Sequence, residues 1–140
     1  MKRIVCDTNV LLSGLIWKGP PHRLLAEVAK GRFVMFISRD LLEEVARTLE
    51  YPKLQTALRT AGLTGNQMLR WIVRHSTLVW CKPLKDPAVR ANPSDDNVLA
   101  CAVAAAADGI ISGDNHLLAL GAFEGIPIVS PAGFLEQTKR

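Results

Sequence analysis

The chain has 140 residues, of which 49% are hydrophobic and 21% charged, and its formal net charge is +4. That size and balance suit one globular domain with a substantial core and exclude an intrinsically disordered chain. The basic excess favours a polyanionic partner.

The N-terminal "MKRIVCDTN" carries basic residues, but its apolar stretch breaks at Asp7, so it does not read as a signal peptide. The longest apolar stretch, "NVLACAVAAAADGII", is interrupted by Asp108 and is too short to span a bilayer. A cytoplasmic protein without membrane attachment is expected. Cys6, Cys81 and Cys101 are an odd number without metal-ligand spacing. Their apolar neighbours suit reduced, buried thiols better than disulfides or a zinc site.

In chain order, "KRIVC" reads as a short buried strand, followed by a helix over "NVLLSGLIW" that "KGPP" breaks. "PHRLLAEVAKG" is a second helix, with Pro near its start and Gly31 just past its end. "RFVMFIS" is continuously apolar, as expected of a central strand covered on both faces. Ser38 caps the helix "RDLLEEVARTLEY", whose Leu41, Leu42, Val45 and Leu49 form an apolar stripe before Pro52. "KLQTALRTAG" and "TGNQMLRWIVRH" are two more helices, the second starting near Thr64, and "STLVWC" is a third strand. "KPLKDPAVRANPS" is a polar loop. The remainder reads as helix "DDNVLACAVAAAAD", strand "GIISG", short helix "DNHLLALG", strand "IPIVS" and helix "PAGFLEQ".

Strands separated by helices, and apolar on both faces, predict a three-layer α/β/α sandwich around a mainly parallel five-stranded sheet. No repeat or linker divides the sequence, so residues 1–140 are expected to form a single domain. In such sheets, sites form at the carboxyl ends of the strands.

That rule draws attention to the acids. Asp7 ends the first strand, Asp114 follows the fourth, and Asp95 and Asp96 open a helix. Each has a structural explanation as a turn, a cap or a helix-dipole partner. Three acidic positions beside apolar strand ends are harder to explain that way, because like charges in proximity repel unless a cation neutralises them. Glu43 and Glu44 each lie about 130° from the apolar stripe of their helix, so periodicity does not choose between them. Several acids without a His or Cys cluster suit a hard cation such as Mg²⁺ or Mn²⁺. Such ions promote phosphodiester cleavage.

The ordered set "DTNVLLSGL", "ISRDLLEEVARTL", "DDNVLACAVAAAAD" and "IISGDNHLLAL" resembles PIN-domain ribonucleases. The likeness is strongest to the VapC-like toxin components of bacterial and archaeal toxin–antitoxin pairs, and it runs through the closing "GIPIVSPAGFL". The resemblance implies a PIN-like sandwich, an acidic Mg²⁺ or Mn²⁺ site, and endonucleolytic cleavage of single-stranded RNA leaving 5′-phosphate and 3′-hydroxyl ends. It also implies an antitoxin protein as partner and a homodimer. Carried over by position, the catalytic and metal-binding acids are Asp7, Glu44, Asp96 and Asp114, with Asn9 and Ser112 in supporting positions. The sequence departs from the pattern at Asn92, where an Asp is often found, and Asp95 is the acid available to substitute for it.

Lys82, Lys85 and Arg90, just before the third acid, are the candidate contacts to the RNA backbone. Trp17, Trp71 and Trp80 have apolar neighbours and read as core or protein-interface residues before base-stacking ones. His116 reads as a helix-surface residue, and His22 and His75 have no partner visible in sequence. Two other functions compete: a catalytically weak RNA- or protein-binding module, and a phosphohydrolase with Asp7 as nucleophile. Haloacid-dehalogenase-like phosphohydrolases place a second Asp two residues later, where this chain has Asn9.

Overall fold

Ile4, Val5 and Cys6 are consecutive in the first strand, and each is at most 1% exposed. Successive strand residues point to opposite faces, so this strand must be covered on both sides. The computed structural model describes residues 2–82 and 93–139 and shows how.

The elements are β1 (Lys2–Cys6), α1 (Thr8–Ile16), α2 (Pro20–Ala29), β2 (Phe33–Ser38), α3 (Arg39–Leu49), α4 (Pro52–Ala61), α5 (Gly65–His75) and β3 (Ser76–Val79). They continue with α6 (Pro93–Ala105), β4 (Gly109–Ile111), α7 (Asn115–Leu120), β5 (Ala122–Phe123), β6 (Ile126–Val129) and α8 (Pro131–Thr138). The strand order is β3-β2-β1-β4-β6-β5, and every pairing is parallel except β5 with β6. The protein is a three-layer α/β/α sandwich. Five of the strands match the sequence reading. The sixth, β5, has two residues, too few for any periodicity to reveal.

Local chemistry explains the boundaries. Ser38 accepts a hydrogen bond from the Leu41 N–H at 3.2 Å, and Thr64 forms a reciprocal capping box with Gln67. Gly62 ends α4 with φ 72°, a left-handed conformation in which a side chain is strained. Gly14 serves closeness instead: a Cβ there would lie 2.6 Å from Leu25 Cδ1 and 2.8 Å from the Pro21 carbonyl oxygen. The α1–α2 packing therefore depends on the missing methyl.

Helix α6 packs on β1, β2 and β3 and against α3. Its far end is tied to β1 by Arg3, whose Nε and Nη2 both donate to the Ala105 carbonyl, at 2.9 and 2.7 Å. Among the described residues, no helix is long and apolar enough to cross a membrane. Two expectations need correction in part. Trp17 and Trp80 are 53% and 82% exposed, so neither is a core residue and only the protein-interface reading of them stands; apolar neighbours in sequence do not bury a side chain at an element's end. Cys81 is half-buried rather than buried, because it lies just past the end of β3, whereas Cys6 and Cys101 are buried.

Candidate active site

Strands β1 and β4 are neighbours, with Cys6 opposite Ile111. The Asp7 N–H donates to the Ile111 carbonyl at 3.1 Å, which brings the residues after both strands side by side. The chain builds outward from β1 towards β3 and later from β4 towards β5, so this edge is where the strand order reverses.

A cleft of about 250 Å³ opens there. Its lining includes Asp7 and Asp114 from the strand ends, Glu44 from α3 and Asp95 from α6, together with Thr8, Asn9, Arg47, Thr48, Tyr51 and Val98. Glu43 instead turns outward and pairs with Arg39 at 3.1 Å.

Asp7 is buried and held at both oxygens. Oδ1 accepts from the Val10 N–H at 2.8 Å, capping α1, and Oδ2 accepts from the Ser112 hydroxyl. Ser112 is fully buried and its Oγ also accepts the Asp114 N–H at 2.9 Å, so one hydroxyl orients two acids. Asp114 Oδ1 accepts from the His116 and Leu117 N–H groups at 2.7 and 3.2 Å. Capping and cleft lining coexist at Asp7 and Asp114. Glu44 Oε2 accepts from the Thr8 hydroxyl.

Burial raises the Asp7 pKa above the ordinary carboxylate range; the bonds from Ser112 and Val10 oppose that rise, and the charges of Asp114 and Glu44 add to it. Asp95 is pushed up to about 6 by burial, then by the charges of Asp114 and Asp7. Two neighbouring carboxyls therefore resist ionising together without a cation.

Glu44 Oε1 and Asp95 Oδ2 are buried with no hydrogen-bond partner among the described residues. Buried acceptors left unsatisfied are costly, and a cation would satisfy both. An all-oxygen acidic donor set fits a hard divalent ion. The fit is one of chemistry: as the side chains lie, no three His, Cys, Asp or Glu among the described residues are arranged to hold an ion.

The profile of the PIN domain matches residues 3–116. The chain belongs to the PIN-domain family. PIN domains are generally nucleases, bind nucleic acid and typically use divalent metals. No curated protein matches the chain.

Of the expected site residues, the cleft brings together Asp7, Glu44 and Asp114, with Asn9 on its wall and Ser112 beneath. Asp95 takes the cleft position expected for Asp96, which is half-buried and does not line the cleft. Asp95 precedes the buried Val98 by one helical turn and shares its inward face, whereas Asp96 is rotated by about 100°. Lys82 is exposed; Lys85, Arg90 and most of the polar loop lie outside the described residues. His116 is exposed, as expected. Sequence reading missed Thr8, Arg47, Thr48 and Tyr51. Arg47 and Thr48 follow Glu44 by three and four residues, the spacing of one helix face, whereas Tyr51 lies past the end of α3 and reaches the cleft from the N-cap of α4.

Proposed function

We propose that this PIN domain is a Mg²⁺- or Mn²⁺-dependent endoribonuclease that hydrolyses phosphodiester bonds in single-stranded RNA. The observation that carries the reading is the cleft, where Asp7, Glu44, Asp95 and Asp114 meet at the carboxyl ends of β1 and β4. When bound, the divalent ion supplies an activated water and neutralises charge on the phosphate. The carboxylates of Asp7 and Asp114 are each held by backbone N–H donors, so they orient the site. Glu44 and Asp95 offer the unpartnered oxygens and complete it.

The reading takes residues 1–140 as one domain acting in the cytoplasm as the toxin of a toxin–antitoxin pair. The toxin role rests on the VapC-like sequence pattern. Exposed Val73, Leu78 and Trp80 support a homodimer, because large exposed apolar groups mark contact surfaces. Lys82, Lys85 and Arg90 serve as RNA-backbone contacts in this reading, so affinity falls steeply as salt rises.

The deciding experiment is Mn²⁺-dependent cleavage of RNA by wild type and Asp114→Asn. Asn retains the helix cap. The variant is expected to fold, to gain less thermal stability from Mn²⁺, and to lose activity by on the order of a hundredfold or more. Normal cleavage by the variant sinks the assignment of Asp114. One observation favours a second reading, a catalytically weak binding module: no acidic triad stands ready for an ion among the described residues. That module would bind RNA or protein and cut nothing in either metal.

A further inference from the structure

Two side chains in the acidic cleft are of another kind. Arg47 and Tyr51 line it with Glu44: Arg47 follows Glu44 by three residues on α3, and Tyr51 lies two residues past the end of α3, in extended backbone at the N-cap of α4. Arg47 is exposed and forms no ion pair with any described carboxylate, although four carboxylates line the same cleft. Its planar fork remains available, and that fork matches a phosphate. Tyr51 is 59% exposed. Its N–H donates to the Thr48 carbonyl at 3.1 Å, and Pro52 begins α4 directly after it. The backbone is thus anchored at Tyr51, and the exposed ring lines the cleft without being part of the core.

We infer that Arg47 binds the phosphate beside the scissile one and that Tyr51 stacks on the adjoining unpaired base. Tyr51, not the carboxylates, then selects single-stranded RNA, and Arg47 supplies the charge that holds it. The inference rests on the nuclease reading and adds the source of its substrate class. Stacking on an aromatic ring needs a free base face, which a strand offers and a duplex withholds. Arginine supplies the charge that acids cannot, and its contact with phosphate is indifferent to sequence. The opposing structural explanation makes Arg47 a helix-dipole partner in the last turn of α3. That explanation predicts a change in melting temperature but none in RNA affinity or its salt slope.

The test measures binding of a fluorescein-labelled RNA dodecamer, single-stranded and as a duplex, by anisotropy with Ca²⁺ replacing Mg²⁺. Cleavage of the same strand is followed in Mn²⁺. Tyr51→Ala should weaken single-strand binding about tenfold and leave duplex binding alone, narrowing the preference, while Tyr51→Phe restores most of the affinity. Arg47→Ala should weaken binding by about tenfold and reduce the salt slope by about one phosphate contact. Should Arg47→Ala melt early, Arg47→Gln keeps the aliphatic stem and replaces it. Wild-type affinity and preference in both alanine variants overturn the inference and leave the nuclease reading intact. A wild type that binds single strands through Arg47 and Tyr51 but cuts nothing overturns the nuclease reading, and with it the scissile phosphate, and supports only the choice of single strands by these residues. A wild type that does not bind RNA overturns both.

Discussion

The hydroxyl of Thr8 donates a hydrogen bond to Oε2 of Glu44, tying the first turn of α1 to the middle of α3 across the cleft. The other oxygen of Glu44 is buried and unpartnered, so Thr8 alone fixes the carboxylate among the described residues. Thr8→Val keeps the shape and removes the donor. Catalysis is expected to fall about 10- to 100-fold, as when a partner that orients a metal ligand is lost, and Thr8→Ser should recover most of it. A parallel measurement is the Mn²⁺-induced rise in melting temperature, which should shrink in Thr8→Val. A variant that melts lower yet cuts and responds to Mn²⁺ like wild type would limit Thr8 to a packing role.

Gly14 sets two opposing effects against each other. Ala favours a helix over Gly by about 1 kcal/mol. Here, however, the new methyl would approach Leu25 Cδ1 to 2.6 Å and the Pro21 carbonyl oxygen to 2.8 Å. Leu25 can rotate, but the backbone carbonyl cannot yield without moving α2. Overpacking of this kind costs roughly 1–3 kcal/mol, so Gly14→Ala should be destabilised on balance. Urea denaturation checks the sign: a midpoint above wild type would mean that α2 shifts freely.

Local chemistry was the legible part of the molecule. Ser38 and Thr64 cap as their positions predict, and the runs "KRIVC" and "RFVMFIS" became strands covered on both faces because continuous apolar runs permit little else. The cleft was legible at Asp7 and Asp114, which follow strands. It was illegible where a helix had to choose. Glu43 and Glu44 flank the stripe of α3 symmetrically, and the tertiary packing of α3, which includes α1 and α6, turns Glu44 inward. Asp95 and Asp96 are neighbours on α6, and the packing of that helix on the sheet decides which faces the cleft. Thr8 was hidden beside the more conspicuous Asp7, because its partner is 36 residues away.

The raised carboxyls make a prediction for stability without metal. Asp95 binds its proton more tightly when folded, with a pKa near 6 against an ordinary value of 3.8, and Asp7 shifts in the same direction. A group raised on folding favours the folded state when protonated. That contribution is complete below 3.8 and is lost as pH rises through about 6. In EDTA, these groups should therefore add stability as pH falls from 7 towards 5. Urea midpoints compared with Asp95→Asn isolate the effect: the variant should show a weaker gain over that range. Parallel curves for the two proteins would mean that Asp95 titrates alike folded and unfolded.

The two acids that open α6 can be separated by the same substitution. Asp95→Asn removes a cleft carboxylate and one buried, unpartnered oxygen anion, while Asp96→Asn alters a side chain outside the cleft lining. Near a helix N-terminus each loses some dipole stabilisation, about 0.3–1 kcal/mol. At Asp95 that loss is opposed, because burial and the neighbouring acids already disfavour its charge. Metal-free Asp95→Asn should thus melt no lower than wild type at pH 7, and Asp96→Asn slightly lower. With Mn²⁺ the order of activity separates them further. Asp95→Asn should lose more than the roughly 10- to 100-fold typical of a supporting partner, and Asp96→Asn should stay within that range. Melting curves with and without Mn²⁺, beside cleavage rates on one RNA, read both effects. The reverse ranking, with Asp96→Asn the more damaged in rate and in Mn²⁺ response, would mean that α6 rotates on binding the ion and that Asp96 is the third acid of the working site.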